Sequence, residues 1–298
     1  MALLPVGLLV LAAAAASLSA AFGSATAGRA VDTEVLLHPA REAVRLLVVR
    51  RRRTSHPDAL LWRLGGGTLF VTAVLAAAVV PIGTAAVVRS EVGVVWFNAA
   101  ETLLWAALWL TGWGANSVSG LIGGYRFLAQ ALAYELPLML ALITAGLGAA
   151  SLDVTEIVAA QSGLWFVVWM PIAFVVFLIA ALAFAFWGPF SQPASTDASG
   201  GILAEVSGVD RLAVSIGQYA WLASAAGMSV ALFLGGGGGP LLPAWLWWLV
   251  KTLAVLAALV WTRWRFPVIR VDRFEEFAWV VLLPAIIAQS LVVALVVL

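Results

Sequence analysis

The chain has 298 residues, 63% of them hydrophobic and only 10% charged, with a mean hydropathy of +1.05. Soluble domains carry about 25% charged residues, so the composition excludes an ordinary soluble enzyme and predicts an all-α, polytopic membrane protein. A net charge of +1 offers no footprint for nucleic acid, and the lack of cysteine excludes disulfides, zinc-thiolate sites and iron–sulfur clusters built from this chain.

Hydrophobic windows of about 20 residues, the length that crosses a bilayer core, predict eight spans: 3–22, 68–88, 93–113, 127–149, 164–187, 211–234, 243–262 and 277–297. No repeat of 20–50 residues is visible. One integral membrane domain over 1–298, without a soluble module, is expected.

The first span runs toward Ala25-Thr26-Ala27, a small-residue pattern like a signal-peptide cleavage site. No Lys or Arg precedes it, however, and cleavage would send Arg50–Arg53 outward against the positive-inside rule, so a retained span is expected. The following "HPAREAVRLLVVRRRR" sets Val44, Leu47 and Val48 at i, i+3, i+4 among basic residues. That suits an interfacial amphipathic helix, and equally a plain charged anchor. His38 and His56 lie nearby without a third ligand in view, so no metal site is expected. With 23–67 in the cytoplasm, 114–126, 188–210 and 263–276 fall there too. Of the 16 Lys and Arg, this leaves only Arg89 outside and Lys251 within a span. Both termini are therefore expected on the non-cytoplasmic side.

Glu101, Glu135 and Lys251 are the ionisable groups inside the third, fourth and seventh predicted spans. Such a charge costs about 2.5–3.5 kcal/mol on insertion scales and marks an ion or proton route, or a structural pair. At 1.5 Å per residue, Glu101 and Lys251 both come to ~18 Å from the inner ends of their spans and Glu135 to ~12 Å. The expectation is a proton path through Glu135, with Glu101 as a relay and Lys251 as an electrostatic tuner. Pro137 frees the carbonyl of Ala133, beside Glu135. "LGGGGGPLLPAW" (234–245) lacks the Lys-Ser/Thr pair of a phosphate loop and reads as a flexible outer turn. "RWRFPVIRVDRFEEFAW" (263–279) mixes arginines with Asp272, Glu275 and Glu276, as an interfacial anchor or a docking surface would.

Several segments carry a family resemblance: "LLHPAREAVRLL" (36–47), "VVPIG" (79–83), "GWGANSVSGLIGGYRFLAQALAYELPL" (112–138), "AEVSG" (204–208) and "TRWRFPVIRVDRF" (262–274). Together they resemble the H-type membrane subunit of proton-pumping NADH–quinone oxidoreductase, respiratory complex I. Its relatives are mitochondrial subunit 1 and the membrane anchors of energy-converting hydrogenases. The resemblance implies one component of a multi-pass assembly in a bacterial inner or plasma membrane, holding the membrane end of a quinone chamber and the start of a proton path. It implies ubiquinone or menaquinone as substrate, no cofactor on this chain, and flavin and iron–sulfur clusters in partner subunits, both membrane and soluble. Arg126 and Glu135 correspond to charged residues of the family's proton path, and Glu205 to a loop acid facing the quinone site. Arg270 and Arg273 fall in the segment that would dock the soluble module.

The chain departs from the family pattern in its loops. "AFAFWGPFSQPA" (183–194) has Phe184, Trp187, Ser191 and Ala194 where the family has an acid, an arginine, an aspartate and a glutamate. Glu101 and Arg89 lie outside the family pattern. An alternative function follows: a non-catalytic membrane anchor in a related oxidoreductase or hydrogenase. An independent transporter is disfavoured by the lack of an internal repeat.

Overall fold

The computed structural model describes residues 3–83, 85–196 and 199–297. These form helices α1 (Leu3–Thr26), α2 (Thr33–Val48), α3 (Ala59–Ala77), α4 (Gly93–Gly114), α5 (Val118–Ala149), α6 (Val154–Ala160), α7 (Phe166–Trp169), α8 (Pro171–Phe184), α9 (Gly208–Phe233), α10 (Ala244–Arg265), α11 (Val271–Phe277) and α12 (Leu283–Val297). A π-helical turn, Ala278–Leu282, joins the last two into one rod. Short 3₁₀ turns at Gly188–Phe190, Gln192–Ala194 and Ile202–Ala204 shape the segment before α9. Among the described residues there is no strand beyond an isolated bridge between Ile82 and Ala85. The protein is an all-helical, polytopic membrane protein, and seven helices among the described residues are long and apolar enough to cross a bilayer.

Two expected spans differ. The window 164–187 is not one helix: α7 ends at Trp169 and α8 begins at Pro171, whose ring has no N–H to continue α7 and is suited to a helix's first position. The 14 residues of α8 reach only ~21 Å, short of the ~30 Å hydrocarbon core. The window 68–88 is also displaced. α3 starts at Ala59, where the Asp58 carboxylate accepts from the N–H groups of Leu60 and Leu61, both at 3.1 Å. Its apolar tail leaves the helix near Pro81, and Gly83, at φ +74°, turns the chain against the backbone of Trp245. α5 likewise begins early, capped by Ser117. Of the two readings left open for the basic segment, the helical one is found: α2 is capped by Asp32 and leaves Val44, Leu47 and Val48 exposed.

α9 is the most enclosed span, with 83% of its apolar window buried. It packs against α3, α1 and α10, while α4 packs against α3 and α5, and α5 against α8 and α12. Phe97, Phe177, Phe184 and Trp221 form the aromatic centre, with ring centroids 5.4–6.4 Å apart in edge-on or tilted contacts. Arg89 ties the loop before α4 to the start of α6, donating to Asp153 at 3.0 Å and lying 3.7 Å from Glu156. Burial pushes the Asp153 carboxyl up, but hydrogen bonds from Thr155 and Arg89 outweigh it and hold the group below the usual carboxylate range.

The α3–α9 crossing depends on Gly217. A Cβ there would overlap the Leu69 side chain and come within 3.1 Å of its backbone carbonyl carbon. Small residues permit this approach between spans. Gly217→Val is expected to destabilise the protein by about 1–3 kcal/mol through overpacking. Gly67→Ala, with open space around it on α3, serves as the control and should cost nothing. Thermal unfolding in detergent measures both; equal melting of G217V and the unsubstituted chain would mean that the crossing is not tight.

Candidate functional site

The chemistry-bearing groups meet between α4 and α5. Asn98, Glu101 and Trp105 are spaced three and four apart, so α4 presents them on one face. Tyr134 and Glu135 face them from α5. The Tyr134 hydroxyl donates to Glu101 Oε1 at 2.5 Å, and Trp105 Nε1 donates to the same oxygen at 3.0 Å. Asn98 Nδ2 donates to Glu135 Oε1 at 2.9 Å. Glu101 is wholly buried, and the two carboxyls lie close enough to interact. Glu101 Oε2, Glu135 Oε2 and Asn98 Oδ1 are all buried without a protein partner among the described residues. The groups that do bind the two acids are neutral: a phenol, an indole and an amide. Two neighbouring carboxyls with free oxygens can hold a proton between them, and Coulomb repulsion favours that over two charges.

Lys251, expected to tune these acids from the same depth, is not part of this cluster. Its ammonium donates to three backbone carbonyls, Leu234 at 2.7 Å, Gly236 at 3.1 Å and Gly238 at 2.6 Å, and lies 4.1 Å from the centre of the Trp165 ring. Side chains on a helix lean toward its N-terminus, and α10 packs on α9 and α1 rather than beside the acids. The glycine-rich turn is consequently not loose. Gly235–Gly237 are buried, and Gln161 adds an acceptor for the Gly235 N–H at 2.9 Å.

A second polar region lies at the other end of α3. Arg51 pairs with Asp210 at 3.3 Å. Both line a cavity of about 220 Å³ with Arg63, Trp62, Thr111 and Val206. The indole N–H of Trp62 is buried there without a partner among the described residues. Glu205 ends the 3₁₀ turn before α9 and lines a neighbouring cavity of about 190 Å³ with Arg45, Arg52 and Arg211. Arg126, at the start of α5, donates to the Gly200 carbonyl at 2.7 Å. It stands nine positions before Glu135 on the same helix, ~13 Å along the axis, so the two are not in contact.

Arg270 and Arg273 are exposed and pair locally, with Asp272 at 3.0 Å and Glu276 at 3.2 Å. Their helix is bound to the 188–194 turn: Ile269 N–H donates to Pro189 O, Val271 N–H donates to Gln192 Oε1, and the Phe190 and Phe274 rings are 4.5 Å apart. The end of α8 and the 3₁₀ turns after it, 184–194, form an apolar plug. Phe184, Phe186 and Trp187 are buried in it, and Gln130 and Gln218 satisfy its carbonyls. Residues 197 and 198 of the adjoining "STDASGG" stretch lie outside the described residues.

Sequence reasoning named both carboxylates but missed Asn98, Trp105 and Tyr134. The signals were present: Asn98 and Trp105 share Glu101's helix face, and Tyr134 adjoins Glu135. It also missed Arg51, Arg63 and Asp210, because a cytoplasmic arginine reads first as a topology signal.

Residues 3–294 match the family model described as NADH dehydrogenase. Among curated relatives, the second of the H-type subunits of NADH-quinone oxidoreductase in Geobacter sulfurreducens is 34% identical over 268 residues, covering 86% of this chain and 82% of that protein. The H-type subunit of Geobacillus kaustophilus is 33% identical, covering 88% and 80%. That of Carboxydothermus hydrogenoformans is 33% identical, covering 74% and 65%. With a match across nearly its whole length and a third of its residues shared with these proteins, the chain belongs to the NADH dehydrogenase family of H-type complex I membrane subunits.

Proposed function

We infer that this chain is a membrane subunit of a complex I-like NADH–quinone oxidoreductase in a bacterial cell membrane, and that it takes part in coupling quinone reduction to proton translocation. Family membership supports the assembly, and the facing Glu101 and Glu135 carboxyls support the coupling. In this reading a proton is passed between the free Oε2 atoms of the two acids. Tyr134 and Trp105 fix Glu101 by donating to its other oxygen, and Asn98 fixes Glu135 in the same way. Each acid thus keeps one oxygen for binding and one for proton exchange.

The quinone would enter the cavity beside Arg51, Arg63 and Asp210. Quinone carbonyls are acceptors, and the Arg63 guanidinium lining the cavity is a donor of the matching kind. Glu205 and Arg126 flank the same end of the fold, where a soluble electron-transfer module would dock. Flavin and iron–sulfur clusters belong to such partner subunits, since this chain has no cysteine to ligate a cluster. Lys251 acts in this account as a fixed structural cation and does not tune the carboxyls. The same reading makes the protein one integral membrane domain with its polar end in the cytoplasm and both termini outside.

Glu101→Gln and Glu135→Gln, each incorporated into the assembled complex, are expected to leave assembly intact and lower proton translocation on the order of 100-fold. Proton uptake and quinone reduction are measured separately in proteoliposomes. Normal translocation in both variants would remove the pair from the mechanism and favour the anchor function instead.

Orientation is tested by a cysteine placed at Arg52 and probed with an impermeant reagent. Labelling is expected in inverted vesicles only; labelling in intact cells would reverse the topology. Replacing Arg270 and Arg273 with Glu should release soluble subunits during purification. Their local ion pairs are exposed and contribute little to folding, so an intact complex would identify them as membrane anchors alone.

A further inference from the structure

Three rows of side chains run along α2, each on its own side of the helix. Val35, Pro39, Glu42 and Leu46 are buried or half-buried, and this row turns toward α1 and α9, the spans that the helix packs against. Leu36, Ala40, Val44 and Leu47 form a second row and are all exposed, with Val48 beside them 80% exposed. Glu34, His38, Arg41 and Arg45 make the third, also exposed. The arginines of this row are matched locally: Arg41 is 3.8 Å from Glu34, and Arg45 is 2.5 Å from Glu42. Those that follow the helix are not. Arg51 pairs with Asp210, but Arg50, Arg52 and Arg53 are exposed and have no ion pair among the described residues. The helix is held beside the bundle rather than beyond it. Ser17 Oγ donates to Leu36 O at 2.9 Å, and Ser17 stands nine positions before the end of α1 at Thr26, ~13 Å along the axis. At the other end of α2, a Cβ built on Gly208, the first residue of α9, would come within 2.7 Å of Val49 O.

We propose that this face of α2 binds anionic phospholipid of the leaflet on its side, with acyl chains against Leu36, Val44, Leu47 and Val48 and the phosphates held by Arg50, Arg52 and Arg53. Depth carries the first half of the argument. A ~30 Å hydrocarbon core measured along α1 from Leu3 ends ~9 Å beyond Ser17. Helices that lie in the interface sink their apolar side about 5–10 Å below the headgroups, which is the level that the Ser17 contact gives the start of α2. Charge carries the second half. Three uncompensated cations within four residues, next to an exposed apolar row, match an anion that itself carries hydrocarbon. The planar guanidinium fork fits phosphate oxygens through paired hydrogen bonds, and basic clusters on amphipathic helices favour anionic headgroups. A zwitterionic lipid brings its own cation and is held less strongly. An acidic protein segment would satisfy the arginines and leave the apolar row in water.

The test uses the assembled complex in phosphatidylcholine nanodiscs. The discs carry a trace of either phosphatidylglycerol or phosphatidylcholine with a diazirine on one acyl chain, and adducts are mapped by mass spectrometry after illumination. Both lipids are expected to label residues 36–48, phosphatidylglycerol on the order of 100-fold more strongly at low salt, about fivefold for each of the three arginines. Raising the ionic strength from about 0.01 M to about 1 M shortens the screening length from ~30 Å to ~3 Å and should bring the two lipids close to equal. This salt series needs no substitution and stands independently of how variants fold. Arg50→Gln, Arg52→Gln and Arg53→Gln together should equalise the lipids at low salt, whereas Lys at the same three positions should keep a preference. Leu47→Asn with Val48→Asn should weaken labelling by both lipids. Equal labelling of the unsubstituted protein at low salt, or a preference that survives both high salt and the Gln replacements, would overturn the role of the arginines. Absence of adducts from 36–48 with both lipids would mean that a partner chain or water covers this face, and would overturn the lipid site itself.

Discussion

The controlling constraint is that hydrocarbon offers no hydrogen bonds. Every backbone or side-chain polar group at membrane depth must find its partner within the protein. Regular helix meets that demand wherever the sequence allows it. Where Pro171 breaks the fifth hydrophobic segment and the chain unwinds over 185–194, side-chain amides take over. Gln130 donates to the carbonyls of Ala183 and Phe190, and Gln218 to those of Ala185 and Phe186. Around the turn after α9, Gln161 and Lys251 do the same for a run of glycines. A cation is well suited to this task, because an ammonium supplies three donors and the carbonyls supply only acceptors.

Single indole and hydroxyl groups on Trp62, Trp109, Trp248 and Thr252 are also buried without a partner, but only at the α4–α5 interface, among the described residues, are such atoms on acids. Each acid is held by neutral donors at one oxygen and left open at the other. Structural burial of a charge normally comes with a partner. A pair of half-satisfied carboxyls is better suited to gaining and losing a proton than to static support. Their hydrogen-bond donors hold the side chains in place, so in the proposed function only the proton would move.

The end of α8 and the segment after it are packed with Phe184, Phe186 and Trp187. Arg263 lies over the Trp187 ring, 4.9 Å from its centre, and seals the plug from the polar side. The buried acid Glu101 lies instead at the α4–α5 interface, facing Tyr134 and Glu135.

The sequence by itself determined the all-helical membrane architecture, and it located Glu101 and Glu135 as acids inside helices. Each of these follows from local composition or periodicity, and the family resemblance followed from contiguous motifs. Helix limits depended on single residues that window averages blur: Asp58 started α3 early, and Pro171 divided an apolar stretch that reads as continuous. Only the tertiary structure decided which helices are neighbours, and therefore which charges meet. Depth along a helix can be counted from the sequence, but the direction around its axis and the identity of the facing helix cannot. That is why Glu101 and Lys251, counted to the same depth, lie in different environments: one faces Tyr134 and Glu135, and the other leans toward its helix start into a ring of carbonyls.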